Sequence, residues 1–227
     1  MKSIVFDAGT LITLSMNGLL DMLKDLKKIF NGKFLITREI KSEIVDRPLA
    51  IKKYKLGALR LKALIDEGIL EFPQDVGIND KDITDLTYKL LKESNTLFYA
   101  NGNYDKPIHI IDLGEASILA LSSLLSQKGI ENIIAIDERT TRILCEKPEN
   151  LKEILESKLH IKITQKGRIS NLNYKTPFIR STELIYVAYK KGLIKNSNPE
   201  VLDAMLYGAK FKGAAITSEE IKQIEKL

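Results

Sequence analysis

The chain has 227 residues, 44% of them hydrophobic, enough for one large domain or one domain with an appendage. Lys and Arg number 35 against 30 Asp and Glu, a net charge of +5 that suits a polyanionic partner without demanding one. The single cysteine, Cys145, excludes an internal disulfide framework, and the lack of a spanning apolar run or a secretory start leads us to expect a cytoplasmic protein with no membrane partner.

Ile4 to Phe6 reads as a short, continuous apolar strand, closed by Asp7. From Leu11 to Phe30 apolar residues recur at helical spacing, and Asn31-Gly32 supplies a stop. Phe34 to Ile36 is a second strand. Thr37 then caps a helix through Ile40, Ile44 and Val45 that is expected to end at Pro48. Leu49 to Ile69 and Asp82 to Lys92 are helical by pattern, and Asn95 to Pro107 is the most irregular stretch. A strong helix from Leu113 to Gln127 is stopped by Gly129. Ile133 to Ile136 is a third strand, with a helix from about Glu138, and Leu159 to Ile163 reads as a fourth. A helix over Leu184 to Leu193 precedes a break at Asn196, and two polar helical segments follow. Strands alternating with helices predict an α/β domain with a mostly parallel sheet of four to five strands, covered by helices on both faces.

Ligands bind such sheets beyond the carboxyl ends of the strands. Asp7 and Asp137 follow strands one and three, Glu43 lies on the helix after strand two, and Glu115 opens the strong helix. Four carboxylates gathered in one crevice repel one another by several kcal/mol unless they are protonated or share a cation. Hard oxygen-seeking ions such as Mg²⁺ or Mn²⁺ suit them, and a metal so held activates water for phosphodiester hydrolysis.

The segments IVFDAGTLITLSMNGLL, TREIKSEIV, DLGEASILALS and IIAIDERTTRIL, in this order, resemble the PIN domain family of nucleases. The likeness continues more weakly through LHIKIT and ELIYVAYKKGLIK, covering about residues 1–195 around a longer helical insertion at about 48–107, with 196–227 as a C-terminal helical extension. The resemblance implies a three-layer PIN-like fold and cleavage of single-stranded RNA with Mg²⁺ or Mn²⁺, leaving a 5′-phosphate. It implies Asp7, Glu43, Glu115 and Asp137 as the acidic quartet, with Asp7, Glu115, Asp137 and Glu138 nearest the metal. The family often carries Ser or Thr two residues after the first aspartate; here that position is Gly9, and Thr10 brings the hydroxyl. A toxin paired with an antitoxin, an RNA-processing role and a homodimer are the further expectations.

Each acid also has an ordinary structural explanation. Asp112 and Glu115 have the spacing of a capping box, Asp137 could cap the next helix, Glu43 could be a solvated partner of nearby lysines, and Asp7 could serve only its turn. Arg38, Arg139 and Arg142 are candidate RNA contacts, as are Lys52, Lys53, Lys55, Arg60 and Lys62, although such a run commonly marks a solvated face. Tyr99 and Tyr104 could stack bases or simply pack the loop. His109 and His160 are assigned no role, and Cys145 is expected to pack. Two other functions compete. VFDAGTL resembles the start of a haloacid-dehalogenase phosphatase, but it lacks the second aspartate needed as general acid. A PIN-like module that only binds RNA or protein, inactive or partner-dependent, is the other.

Overall fold

The computed structural model describes residues 1–101, 106–169, 176–195 and 198–227. Strand β1 (Lys2–Phe6) is followed by helices α1 (Ala8–Met16) and α2 (Leu20–Ile29) and then by β2 (Gly32–Leu35). One helix was expected across Leu11 to Phe30. Two form because Gly18 takes φ +72°, a left-handed conformation that breaks the helix.

The segment beyond β2 also departs from expectation. Thr37 caps α3 (Arg38–Lys41), but the helix does not end at Pro48: a π turn (Ser42–Asp46) carries it into α4 (Arg47–Leu49). The Arg47 amide donates to the Ser42 carbonyl five residues back. Pro48 has no N–H, and its ring crowds the carbonyl four residues earlier; the wider turn makes room for it. Helices α5 (Lys55–Asp66) and α6 (Asp80–Asn95) follow. The irregular stretch after α6 contains β3 (Phe98–Ala100) and β4 (Lys106–Pro107), while Tyr104 lies outside the described residues.

Next come α7 (Leu113–Gln127), β5 (Glu131–Ala135), α8 (Arg139–Glu146), α9 (Pro148–Leu159), β6 (Ile163–Gln165) and β7 (Phe178–Ile179). Three helices complete the chain: α10 (Ser181–Lys190), α11 (Pro199–Phe211) and α12 (Ser218–Glu225). Of the expected break, Asn196 lies outside the described residues, and Asn198 caps α11.

The fold is α/β, with a four-stranded sheet ordered β2-β1-β5-β7 and flanked by helices. Every pairing in it is parallel. Val5, Phe6, Ile134 and Ala135 are fully buried, as a strand covered on both faces requires. The expected fourth strand at Leu159–Ile163 is corrected: Leu159 ends α9, residues 160–162 turn, and the strand β6 begins only at Ile163, pairing antiparallel with β3 in a separate sheet ordered β4-β3-β6. The parallel sheet takes its fourth strand from β7 instead. Chain order reverses at β1, which lies between β2 and β5, so the crevice beyond the β1 and β5 ends is where such a sheet binds ligands. Among the described residues no helix is long and apolar enough to cross a membrane.

A candidate acidic site at the carboxyl ends of the strands

Asp7 stands where β1 ends. Its amide still belongs to the sheet, donating to the Ala135 carbonyl at 2.9 Å, and its Oδ2 accepts the Gly9 amide at 2.9 Å to cap α1. The side chain is buried, and this burial pushes its carboxyl up to about 7 despite the Gly9 and Ala8 amides; repulsion from Glu43 and Asp112 adds to the rise.

Glu43 sits in the π turn, a local geometry common at functional sites. Two contacts set its place. The Thr37 hydroxyl accepts the Ile40 amide and lies 2.7 Å from Ser117 Oγ, tying the start of α3 to α7. The Glu43 carboxylate then lies against Gly114, where an added Cβ would stand 2.6 Å from Oε1. Burial and the charges of Asp112 and Glu39 raise the Glu43 carboxyl above its ordinary range, with Arg47 opposing.

Asp112 and Glu115 form a reciprocal cap at the start of α7. Asp112 Oδ1 accepts the Glu115 amide at 3.0 Å, and Glu115 Oε2 accepts the Asp112 amide at 2.8 Å. The capping explanation of Glu115 is therefore realised, yet it does not exhaust the residue. Burial pushes the Glu115 carboxyl up to about 8 against that amide bond, and Asp112, Glu138 and Asp7 all press in the same direction.

At the end of β5 the roles of two neighbours are exchanged relative to the capping expectation. Glu138, not Asp137, caps α8, its Oε2 accepting the Thr141 amide at 2.7 Å. Asp137 turns toward α10, where its Oδ1 accepts the Ser181 amide at 2.8 Å. Its Oδ2 is buried and has no well-formed hydrogen bond among the described residues. Burial raises the Asp137 carboxyl, opposed by Ser181, the Thr13 hydroxyl and Arg142. Thr10, fully buried in the first turn of α1, also has a hydroxyl without a partner.

Asp7, Glu43, Asp112, Glu115 and Glu138 thus share one electrostatic field, drawn from β1, the π turn, the α7 start and the β5 end. The Asp137 backbone lies beside Asp7 through the β1–β5 ladder, but its carboxylate is held on the α10 side. Asp112 is the member that sequence reading treated only as a cap; its position three residues before the candidate acid Glu115 was the available signal. Asp7, Asp112, Glu115, Asp137 and Glu138 each accept a backbone amide at a helix start, whereas Glu43 accepts none among the described residues; among those residues no three His, Cys, Asp or Glu side chains stand in metal-holding geometry. The donors are all oxygen, which fits Mg²⁺ or Mn²⁺ in kind, and Asp137 Oδ2 is a buried carboxyl oxygen with no well-formed hydrogen bond among the described residues.

The other candidates are placed elsewhere. Arg38 is ion-paired with Asp80. Arg139 is exposed on α8, and Arg142 is half-buried there. Tyr99 lies in the antiparallel sheet with the Lys166 ammonium 4.3 Å from its ring centre. Cys145 is buried, and His160 ends α9 at φ 55°. A scan against protein-family models and searches of curated proteins and of solved structures each found no match to this chain.

Proposed function

We propose that the chain is a metal-dependent ribonuclease on a PIN-like fold that hydrolyses phosphodiester bonds of single-stranded RNA. The observation that supports it is the convergence of buried and half-buried acids from four separate segments on the switch-point crevice, with carboxyls pushed up to about 7 at Asp7 and about 8 at Glu115. A fold gains no stability from placing repelling, desolvated carboxylates together, so a positively charged occupant is the economical reason for them. Asp7, Glu115, Asp137 and Glu138 are the residues that would hold Mg²⁺ or Mn²⁺, which when bound supplies an activated water and neutralises charge on the phosphate. Glu43 completes the acidic wall opposite α7, and the Thr10 hydroxyl is available to position a water. RNA is the proposed substrate; an antitoxin or a second copy of this chain is a proposed partner.

The test is cleavage of a fluorescent single-stranded RNA by the wild-type chain and by Asp7→Asn, with Mn²⁺ and with chelator. Mn²⁺-dependent cleavage that falls by two orders of magnitude or more in the variant supports the reading, a size expected for loss of one main charge-stabilising group (about 10²–10³). Equal cleavage by both proteins, or none by either, ends it. One observation favours a second reading, a partner-dependent binding module: the carboxylates of Asp7, Glu115, Asp137 and Glu138 are turned to separate backbone amides rather than to a common point. RNA binding without cleavage at saturating Mn²⁺ is the result that selects it.

A further inference from the structure

Arg142 differs from every other buried cation near the site. Its guanidinium is fixed by two backbone carbonyls, Nε donating to Glu138 and an Nη to Ala215, each at 3.2 Å. No carboxylate pairs with it among the described residues. The neighbouring Arg180 shares the Ala215 carbonyl but is neutralised by Glu183 and Glu220. A half-buried arginine that is oriented yet unpaired keeps its remaining N–H groups for something outside the chain. Burial and the Arg180 charge work against its ionised form, and the charges of Glu146, Glu183 and Glu220 offset this only in part.

The space before it suits a nucleotide unit. Arg142 walls a cleft of about 740 Å³ with Arg139, Glu146, Lys147, Asn150, Thr217 and Glu220, within the usual size of small-ligand sites (about 300–1,000 Å³). Glu146 is exposed at its rim, so the three basic side chains outnumber the one carboxylate not already paired. Glu220 is committed to Arg180. Arg139, Ile143 and Ile154 also line a second hollow of about 540 Å³ that reaches Glu138 at the acidic site. The two spaces therefore adjoin across these three side chains, a groove in two parts. The segment before α12 connects its ends: the Ala215 amide donates to the Asp137 carbonyl at 3.1 Å, while the Ala215 carbonyl accepts from Arg142.

We propose that this groove is a phosphodiester-binding subsite in which Arg142, supported by Lys147 and Thr217, grips a phosphate of a single strand beside the acidic site. The last part of the chain, Ala215 to Glu220, is then a wall of the substrate path. The strand's identity rests on the ribonuclease reading, but its binding requires neither metal nor cleavage. A guanidinium fork matches a phosphate in two parallel hydrogen bonds, which a point charge cannot do.

Anisotropy of a short fluorescent oligouridylate, measured with the full chain in chelator, tests it. Arg142→Gln is expected to weaken binding by about tenfold or more and to lower the slope of log affinity against log salt by about 0.7, one phosphate contact on a single strand. Exposed Lys147→Gln should weaken binding in the same direction, while Lys28→Gln, on α2 and paired with Asp25, should not. If Arg142→Gln fails to fold, Lys147→Gln decides; Thr217, whose hydroxyl accepts the Glu220 amide to cap α12, is left unchanged. Wild-type affinity and salt slope in the folded variants overturn the subsite, as does binding of an oligoglutamate peptide in place of the oligonucleotide, or no oligonucleotide binding by the wild type at low salt. Unchanged cleavage in Asp7→Asn would instead remove the nuclease reading and leave this result standing.

Discussion

Gly114 shows how one missing methyl group separates stability from function. In most helical positions Gly→Ala adds about 0.5–1 kcal/mol of stability. Here the new Cβ would meet Glu43 Oε1 at 2.6 Å, and that oxygen ends a flexible side chain. The clash is relieved by swinging the carboxylate away, not by moving backbone. Gly114→Ala is therefore expected to melt at the wild-type temperature or slightly above, while metal-dependent cleavage drops about tenfold or more, as displacement of a positioned group by an ångström can do. Unchanged cleavage would show that the place of Glu43 does not matter. The raised carboxyls give a second outcome at this scale. Between the ordinary values of 3.8 and 4.5 and the folded values of about 7 and about 8, Asp7 and Glu115 bind more protons folded than unfolded. Their stabilising contribution is full below the ordinary values and is lost as pH rises through the folded ones, at up to about 1.4 kcal/mol per pH unit for each group. In chelator the melting temperature should fall from about pH 5 to about pH 8, and Mg²⁺ should restore it at the upper end. A flat profile in calorimetry would contradict the buried acids.

Elements differ in how much of themselves they write into the sequence. Strand β1 and helix α7 were legible because each has a single strong signal: an unbroken apolar run in one, and in the other a capping pair, a long periodic stretch and a glycine stop. The helix from Thr37 was legible in its start but not its end. Apolar spacing marks which side of a helix is buried, and it carries no sign of a shift to five-residue hydrogen bonds before Pro48. Strand β7 was missed because two residues are too few to show a period; neighbouring ladder bonds, from Ile134 to Pro177 and from Ile136 to Ile179, hold it in the sheet. The positions of Asp7, Glu115 and Asp137 at strand or helix ends were legible, while Glu43 shows only as a residue on the helix after β2. Their orientations were not. The amide that captures Asp137 belongs to Ser181, 44 residues further on, and only the folded sheet brings the two together.

The last helices are joined to the rest of the molecule by packing as well as by polar contacts. Leu202, Leu206, Ile216, Ile221 and Ile224 are buried in the same apolar cluster as β1 and β5. Arg180 at the start of α10 is bonded to Glu220 of α12, and the Ala215 amide to the Asp137 carbonyl. Burial of each such aliphatic side chain contributes about 1.5–3 kcal/mol, so the five together rival the whole net stability of a domain, about 5–15 kcal/mol. A chain ending at Lys195 would also leave the Asp137 carbonyl and the Arg142 guanidinium each short of one partner. The full chain is therefore expected to melt in a single transition, and the shortened one to show no cooperative melt at all. Calorimetry on both decides the matter. A shortened chain that melts cooperatively near the full-length temperature would make α11 and α12 a detachable appendage, and the groove wall they provide would then be dispensable to the fold.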